Sequence, residues 1–348
     1  MVTLKDIAQK TGFSLSVVSR AMNPAPDQKV AERSREIILA AAADLGYRPN
    51  QAARLLAKGR SASIGCFLPA MVGELVGKIV EGLSKAANQN GFAYQIYFGN
   101  SLEDYRHFID HCRHTASTGM ISYLPWDIYV DKENDSFYRM LASLPVNSSE
   151  IILLNCPDLN LPHVQTICID NYHAGKIAAE HLIKRQCSCC VLLAGNFAIE
   201  TYQLSLRSNG FIETVTAHGC KYEQVLLNNK RGYQPNDDAH IDKLLDLLKK
   251  YSDIGVFLQT DYTACVFYSQ LQQRNLQHLI GKEIKVIGCD NIFAGALLTP
   301  SLTTVSLLEP FAALGEVSMA TLLNKLVKAD MTVDWNRLKP QLVIRESA

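Results

Sequence analysis

From residue 61 onward, short apolar runs alternate with longer amphipathic segments, and this alternation limits the possible folds more than any other feature. The apolar runs predict buried strands at 64–68, 94–98, 120–124, 151–154, 166–169, 191–194, 224–227, 255–258, 284–287 and 303–305. The clearest helices between them span 76–90, 174–184, 241–250 and 265–274. This order of elements predicts parallel sheets with helices on both faces.

The number of strands indicates two lobes instead of one sheet. About ten strands exceed the usual size of one sheet, whereas two similar doubly wound α/β lobes accommodate them. Ligands of such sheets bind beyond the carboxyl ends of the strands, so the cleft between the lobes is the expected ligand site. A chain of 348 residues also exceeds what one hydrophobic core supports, which predicts a further unit.

The first sixty residues differ from the rest in charge. Ten Lys and Arg stand against five Asp and Glu there, a net charge of +5, and the remainder carries −5 because the whole chain is neutral. A small basic segment suits contact with the phosphates of nucleic acid.

Several classes of protein are disfavoured. The sequence has no apolar run of membrane-spanning length and no signal peptide, so we expect a cytoplasmic protein without a membrane partner. The motifs GxGxxG, GxxxxGK[ST] and GxSxG are missing, which argues against an enzyme, and no cofactor is indicated. The ten cysteines lie mostly in apolar runs and are expected to be reduced.

Residues 1–48 predict an all-α head of three short helices. Thr3 caps the first, which ends at Gly12; Ser14 caps the second, which ends before Asn23; and the third ends at Gly46. The expected buried positions are Leu4, Ile7, Ala8, Val17, Val18, Ala21, Ile37, Ile38, Ala41 and Leu45.

The second helix carries candidate base-contacting residues. A helix-turn-helix places its second helix in the major groove, where Leu15 and Ser16 would meet base edges. Arg20 can donate two hydrogen bonds to guanine. These residues alone leave open an ordinary three-helix bundle in which Arg20 is merely solvated.

The head resembles that of the LacI/GalR family of bacterial transcription regulators, which includes the lactose and purine repressors. The matching segments are VTLKDIA at 2–8, GFS at 12–14, VVSRAMN at 17–23, LGYRPN at 45–50 and ARLL at 53–56. The resemblance implies that Leu15, Ser16 and Arg20 contact bases. It also implies helix capping or phosphate contact by Thr3, Ser14, Ser19 and Asn23.

Residues 50–58 are too few for a stable isolated helix. The resemblance implies a hinge helix that pairs with its two-fold mate in the minor groove, where Leu56 wedges between base pairs. Asn50 and Arg54 match the same segment. The alternative is a flexible linker with Leu56 packed on the next domain. The expected units are a helix-turn-helix domain at 1–48, a hinge at 49–60 and an effector-binding and dimerisation domain at 61–348.

The body is similar to the same family and to the two-lobed plan of periplasmic sugar-binding proteins. The matching segments are IDN at 169–171, Arg207 with GF at 210–211, VIGCD at 286–290 and PQLVIRES at 340–347. The expected lobes are about 61–160 with 291–325, and about 161–290 with 326–348. The resemblance implies that Arg207 and Asp290 hydrogen-bond an effector in the cleft.

Other candidate effector contacts are less specific. Asn155 follows a predicted strand, Tyr233 resembles a stacking position of the family, and Trp126 is a further candidate aromatic. For each aromatic, packing in the core or on the surface is an equal alternative. Thr260-Asp261 stands where the family usually has Asn-Asp, which leaves the class of effector open.

Two clusters suggest metal or redox chemistry at first sight. His107, His111 and His114 share one face of a predicted helix, but charged neighbours and the lack of a metal motif favour a solvated surface. Cys187, Cys189 and Cys190 run into an apolar strand without CxxC spacing, so no metal is expected there either.

The sequence therefore predicts a transcription regulator that is controlled by a small molecule. We expect a homodimer that binds double-stranded operator DNA at a pseudo-palindrome and takes a sugar or sugar derivative as effector. The chain ends soon after residue 345, so no tetramerising helix is expected. A periplasmic binding protein is the alternative, but it accounts for the body alone.

Overall fold

The computed structural model describes residues 2–22, 30–47, 63–70, 73–115, 117–125, 150–195, 202–227, 238–327 and 331–348. The chain divides into two compact units, Met1–Lys58 and Gly59–Ala348. Among the described residues, no helix is long and apolar enough to cross a membrane. The whole predicted hinge at 49–60 lies outside the described residues, and so do the predicted site residues Asn23, Asn50, Arg54, Leu56, Trp126 and Tyr233.

Three helices form the described part of the first unit: α1 (Leu4–Thr11), α2 (Leu15–Met22) and α3 (Glu32–Asp44). Their common core consists of Ile7, Val18, Ala21, Ile38 and Ala42. Gly12 and Gly46 follow α1 and α3 with φ of 75° and 66°, a left-handed conformation that suits glycine. The predicted helices and their glycine stops are confirmed.

One predicted core position of the first unit is wrong. Ile37 was expected in the buried stripe of α3, but its side chain is 47% exposed. Ile38 and Ala42 lie one helical turn apart on the face that meets α1 and α2, and Ala41 and Leu45 pack at its border. The buried face of α3 is therefore shifted by one residue toward the C-terminus relative to the predicted face.

The second unit begins with a five-stranded parallel sheet. Its strands are β1 (Ser63–Pro69), β2 (Ala93–Gly99), β3 (Gly119–Ser122), β4 (Glu150–Leu154) and β5 (Val164–Ile167), in the order β2-β1-β3-β4-β5. Helices α4 (Glu74–Gln89) and α5 (Leu102–His114) connect the first three strands. Strand β5 pairs with β4, so this sheet extends past the approximate lobe boundary at residue 160.

A six-stranded sheet follows in the same unit. Its strands are β6 (Cys189–Gly195), β7 (Tyr222–Leu227), β8 (Ile254–Leu258), β9 (Ile284–Asp290), β10 (Thr303–Ser306) and β11 (Gln341–Val343), in the order β11-β10-β9-β8-β6-β7. All are parallel except β11, which pairs antiparallel with β10. Six helices follow β5 along the chain: α6 (Asn171–Lys184), α7 (Tyr202–Ala217), α8 (Ala239–Lys250), α9 (Asp261–Gln273), α10 (Phe293–Leu297) and α11 (Leu308–Val327).

The observed elements confirm the predicted α/β architecture. Every predicted strand overlaps an observed one, although β5 begins two residues before its predicted position at 166–169. Strand β11 was not predicted as a strand. It has only three residues, and its pairing with β10 joins segments far apart in sequence.

The chain passes between the two lobes at three points, after β5, after β10 and before β11. The backbone N–H of Asp170 donates to the carbonyl of Leu338 at 3.2 Å, which ties two of these passages together. At the third, the N–H of Leu307 donates to the carbonyl of Asp290 at 3.2 Å. With the three passages in this arrangement, the carboxyl ends of the strands in both sheets face the same cleft.

Each lobe contains a pair of helices in backbone contact at glycines. In the first lobe, a Cβ on Gly82 of α4 would lie 2.0 Å from the carbonyl oxygen of Ala312 in α11. In the second, a Cβ on Gly175 of α6 would lie 1.9 Å from the carbonyl oxygen of Arg207 in α7. No side chain fits in either place, so these glycines fix the spacing of the helices and, with it, the position of Arg207.

We expect Gly175→Ala to destabilise the protein by about 1–3 kcal/mol, because the added methyl group meets backbone atoms that cannot move independently. Gly77→Ala in α4 is the matched control, since a Cβ there meets nothing within 4 Å. It should instead stabilise the helix by about 0.5–1 kcal/mol. Urea unfolding of the two variants tests this, and equal stabilities would contradict it.

Candidate functional site

Helix α2 has a core face and an exposed face. Val18 and Ala21 are buried in the head, whereas Leu15 is 44% exposed and Ser16 is exposed beside it. Arg20 is half-buried, and its Nε donates to the carbonyl of Ser16 at 3.2 Å. An exposed leucine, a serine and an arginine thus lie together at the surface of a short helix, as a base-reading helix requires.

The predicted capping residues of the head lie near the starts of its helices. The backbone N–H and the hydroxyl of Thr3 both donate to the Asp6 carboxylate at 2.7 Å, and these bonds hold the pKa of Asp6 below its usual value. The Ser14 hydroxyl accepts from the N–H of Val17 at 3.4 Å. Ser19 is half-buried on α2.

The second unit contains a cavity of about 530 Å³ at the carboxyl ends of the strands of both sheets. Most of its lining residues lie at the carboxyl ends of strands or in the first turns of helices, which is where doubly wound folds bind ligands. The polar members of the lining are Glu74, Asn100, Tyr123, Asn155, Asn171, Gln203, Arg207, Thr260, Tyr262 and Asp290. The apolar members include Phe67, Leu75, Val76, Leu124 and Phe311.

A buried ion pair forms one wall of the cavity. The Nη1 of Arg207 donates to Asp290 Oδ1 at 3.3 Å and to the carbonyl of Gln259 at 2.5 Å, and its Nε donates to Asn171 Oδ1 at 2.8 Å. Both side chains are about 5% exposed. Burial raises the pKa of Asp290 to about 7, although Arg207 opposes the shift. The pair places a donor and an acceptor side by side at the cavity wall.

A second buried carboxylate supports this wall from behind. Asp261 accepts from the Thr304 hydroxyl at 2.7 Å and from the N–H of Ile292 at 3.1 Å. Burial raises its pKa to about 6. A Cβ on Gly288 would lie 2.1 Å from the carboxylate, so glycine provides its space. Asp261 thereby holds the backbone immediately after Asp290.

The opposite wall is built around Asn155, which adopts a left-handed φ of 50°. Its side-chain amide donates to the Tyr123 hydroxyl at 2.6 Å, and its Oδ1 accepts from the N–H of Ile169 at 2.8 Å. Two hydrogen bonds and a rare backbone conformation fix this residue where β4 ends.

Four predicted effector residues line the same cavity: Asn155, Arg207, Thr260 and Asp290. The Thr260 hydroxyl also accepts from the N–H of Thr263 at 3.2 Å and so caps α9. The lining also includes Glu74, Asn171 and Gln203, which the sequence did not indicate as site residues. Asn171 belongs to a matching motif, but Glu74 and Gln203 look like ordinary polar residues near helix starts.

The two clusters set aside in the sequence have structural partners. His111 lies 3.3 Å from Gln95 Oε1, and His114 lies 2.7 Å from the Asp110 carbonyl. Within the described residues, no group of three or more His, Cys, Asp or Glu side chains is arranged to hold a metal. All ten cysteines are free. Burial raises the pKa of Cys187 to about 11 and that of Cys190 to about 12, so both thiols stay protonated near neutral pH.

Comparison with known families assigns both units. Residues 3–50 match the model of bacterial regulatory proteins of the lacI family, and residues 179–348 match a periplasmic binding protein-like domain. Similar proteins that cover both units are LacI-family repressors. The first unit therefore carries the DNA-binding helix-turn-helix of these transcription regulators, which are not enzymes.

The similarity to LacI-family regulators extends over nearly the full length of these proteins. The regulator RegA of Clostridium saccharobutylicum is 27% identical, with 99% of this chain and 98% of that protein covered. The ribose operon repressor of Bacillus subtilis is 26% identical, with 94% and 93% covered. A crystal structure of the lac repressor dimer bound to operator and an anti-inducer shares the fold, with 21% identity, a TM-score of 0.63 and 99% and 98% coverage.

The raised pKa of Asp290 predicts how stability depends on pH. The pKa of this carboxyl group lies near 3.8 in the unfolded chain and near 7 in the folded protein, so the folded state binds more protons between these values. The contribution of the group to folding stability is therefore complete below pH 3.8 and is lost as the pH rises toward 7. Relative to Asp290→Asn, the wild type should lose stability on the order of 1 kcal/mol per pH unit between about pH 4.5 and 6.5.

Denaturant unfolding of both proteins across this range measures the difference. If the stability of the wild type relative to the variant rises with pH instead, the charge of Arg207 outweighs burial and lowers the pKa of Asp290.

Proposed function

We propose that this protein is an effector-controlled repressor that binds a pseudo-palindromic operator as a homodimer. The observation that carries the proposal is the convergence of Asn155, Arg207, Thr260 and Asp290 on one cavity, in a chain that also has a helix-turn-helix. The proposed units are a head at 1–48, a hinge at 49–60 and an effector-binding and dimerisation domain at 61–348.

In this proposal, α2 reads the operator in the major groove. Leu15 and Ser16 contact base edges, and Arg20 donates to the O6 and N7 of a guanine. The hydroxyl and amide side chains that position the head on phosphates are Thr3, Ser14, Ser19 and Asn23. Two heads on a symmetric dimer meet half-sites about one helical turn apart.

The hinge adds contacts in the minor groove. Asn50 and Arg54 hold the hinge helix on DNA, and Leu56 wedges between base pairs at the centre of the operator. A short helix of this length gains its stability from its partner and from DNA. Hinge formation is thus a step that events in the cavity can favour or oppose.

The effector of this proposal is a small polar molecule, and a sugar or sugar derivative fits best. Arg207 and Asp290 offer a donor and an acceptor to neighbouring hydroxyl groups, with Thr260 in the same lobe and Asn155 in the other lobe. Tyr233 and Trp126 are the proposed stacking aromatics. Among similar proteins, two are named ribose operon repressors, and a structure with the same fold is a CelR–cellobiose complex.

Arg20→Ala tests the DNA-reading role. We first select preferred duplexes from a randomised library with the wild-type protein, and then compare binding to a selected duplex and to random competitor. Loss of a bidentate contact should reduce the preference by about 1–3 kcal/mol. The matched control is Arg33→Ala on the exposed surface of α3, which should weaken binding to all duplexes equally and keep the preference. A preference that survives Arg20→Ala would refute the proposed role.

A further inference from the structure

The two lobes touch directly at one edge of the cavity through Glu74. This residue is the first of α4 in the first lobe, and both of its carboxylate oxygens accept from the backbone N–H of Phe293 in the second lobe, at 3.0 and 2.9 Å. The preceding residue also lies near the second lobe, since a Cβ on Gly73 would lie 3.2 Å from the side-chain hydroxyl of Tyr262.

The Phe293 amide depends on this contact. Phe293 is the first residue of α10, and the first N–H groups of a helix have no acceptor within the helix. Glu74 supplies the acceptor from the other lobe. If the lobes separate here, the amide passes to water.

A second contact joins the lobes elsewhere along the cavity. The side-chain amide of Gln203, at the start of α7 in the second lobe, donates to the backbone carbonyl of Asn155 at the end of β4, at 2.5 Å. Asn155 is itself held by Tyr123 and Ile169, so this acceptor is fixed in the first lobe.

The order of strands places the two contacts on either side of the middle of the cavity. Glu74 follows β1 and Asn155 follows β4, and β3 lies between these strands. Phe293 follows β9 and Gln203 follows β6, and β8 lies between these. The cavity residues Tyr123 and Thr260, which follow β3 and β8, therefore lie between the two contacts.

Both contacts are rigidly connected to the proposed effector residues. Phe293 follows a turn in which Asp290 and Asn291 have φ of 125° and 64°, and Asp261 and Arg345 hold this turn by hydrogen bonds to Ile292 and Asn291. Asp290 begins the turn and also lines the cavity. A molecule bound against Asp290 and Asn155 thus acts on the same backbone that forms the two contacts.

We propose that the Glu74–Phe293 and Gln203–Asn155 contacts are a pair of clasps that act together to hold the cleft closed, so that they set the balance between open and closed lobes on which the effector acts. The inference rests on the proposed function only for its regulatory consequence. Because a molecule that needs the closed cleft binds in proportion to the closed fraction, weaker clasps lower its apparent affinity.

Hydrogen–deuterium exchange of the intact protein tests cooperation between the clasps, with fragmentation that resolves the amide of residue 293. Glu74→Ala removes the acceptor and should speed exchange of this amide. The decisive variant is Gln203→Ala, which does not touch Phe293. If the clasps open together, it should also speed exchange at residue 293, by about three- to tenfold.

Controls separate opening from damage. Glu81→Ala on α4 and Gln272→Ala on α9 change exposed residues of the same types and should leave exchange at residue 293 as in the wild type. Exchange within β9 should stay slow in all variants, which reports an intact second lobe. Gln203→Glu keeps the size of the side chain while placing a carboxylate against the Asn155 carbonyl, and should act like Gln203→Ala.

Unchanged exchange at residue 293 in both Gln203 variants would overturn the proposal and leave Glu74 as a local contact. The experiment contains neither DNA nor small molecule. A negative exchange result therefore argues against the clasps alone and does not bear on the proposed regulatory function. Conversely, a protein that shows no operator preference and binds no effector would contradict the proposed function but not the clasps.

Discussion

The buried contact between Arg207 and Asp290 is the interaction on which the cavity depends. A guanidinium removed from water is costly unless its N–H groups are paired, and Asn171, the Gln259 carbonyl and Asp290 pair it here. The backbone approach of Gly175 to Arg207 sets where the guanidinium lies, and Asp261 sets the backbone that follows Asp290. The site is thus a consequence of helix spacing and of a supported turn, and polar residues alone would not produce it.

Much of the fold follows from local sequence patterns, because apolar strands and amphipathic helices have different periods. The glycine stops of α1 and α3 were likewise predictable, since left-handed backbone favours glycine. What the sequence did not disclose depends on distant partners. Strand β11 exists by pairing with β10, and Ile37 is exposed because the tertiary contacts of α3 select Ile38.

The candidate site shows the same division. Arg207, Asp290, Asn155 and Thr260 were selected by resemblance or by position after a strand, and the structure brings them to one cavity. Glu74 and Gln203 gave no such signal, because a polar residue at the start of a helix usually caps it or faces water. Their contacts across the cleft arise only when the two sheets face one another, so they could not be inferred from spacing.

In the proposed function the cavity controls the head, and one titration tests this control most directly. Sugars and nucleosides are first screened for molecules that raise the melting temperature of the intact protein. Binding of the protein to its preferred duplex is then measured at fixed salt with and without such a molecule. We predict a change in affinity of about 5- to 150-fold, in either direction. An affinity that stays the same with every molecule that stabilises the protein would contradict the account.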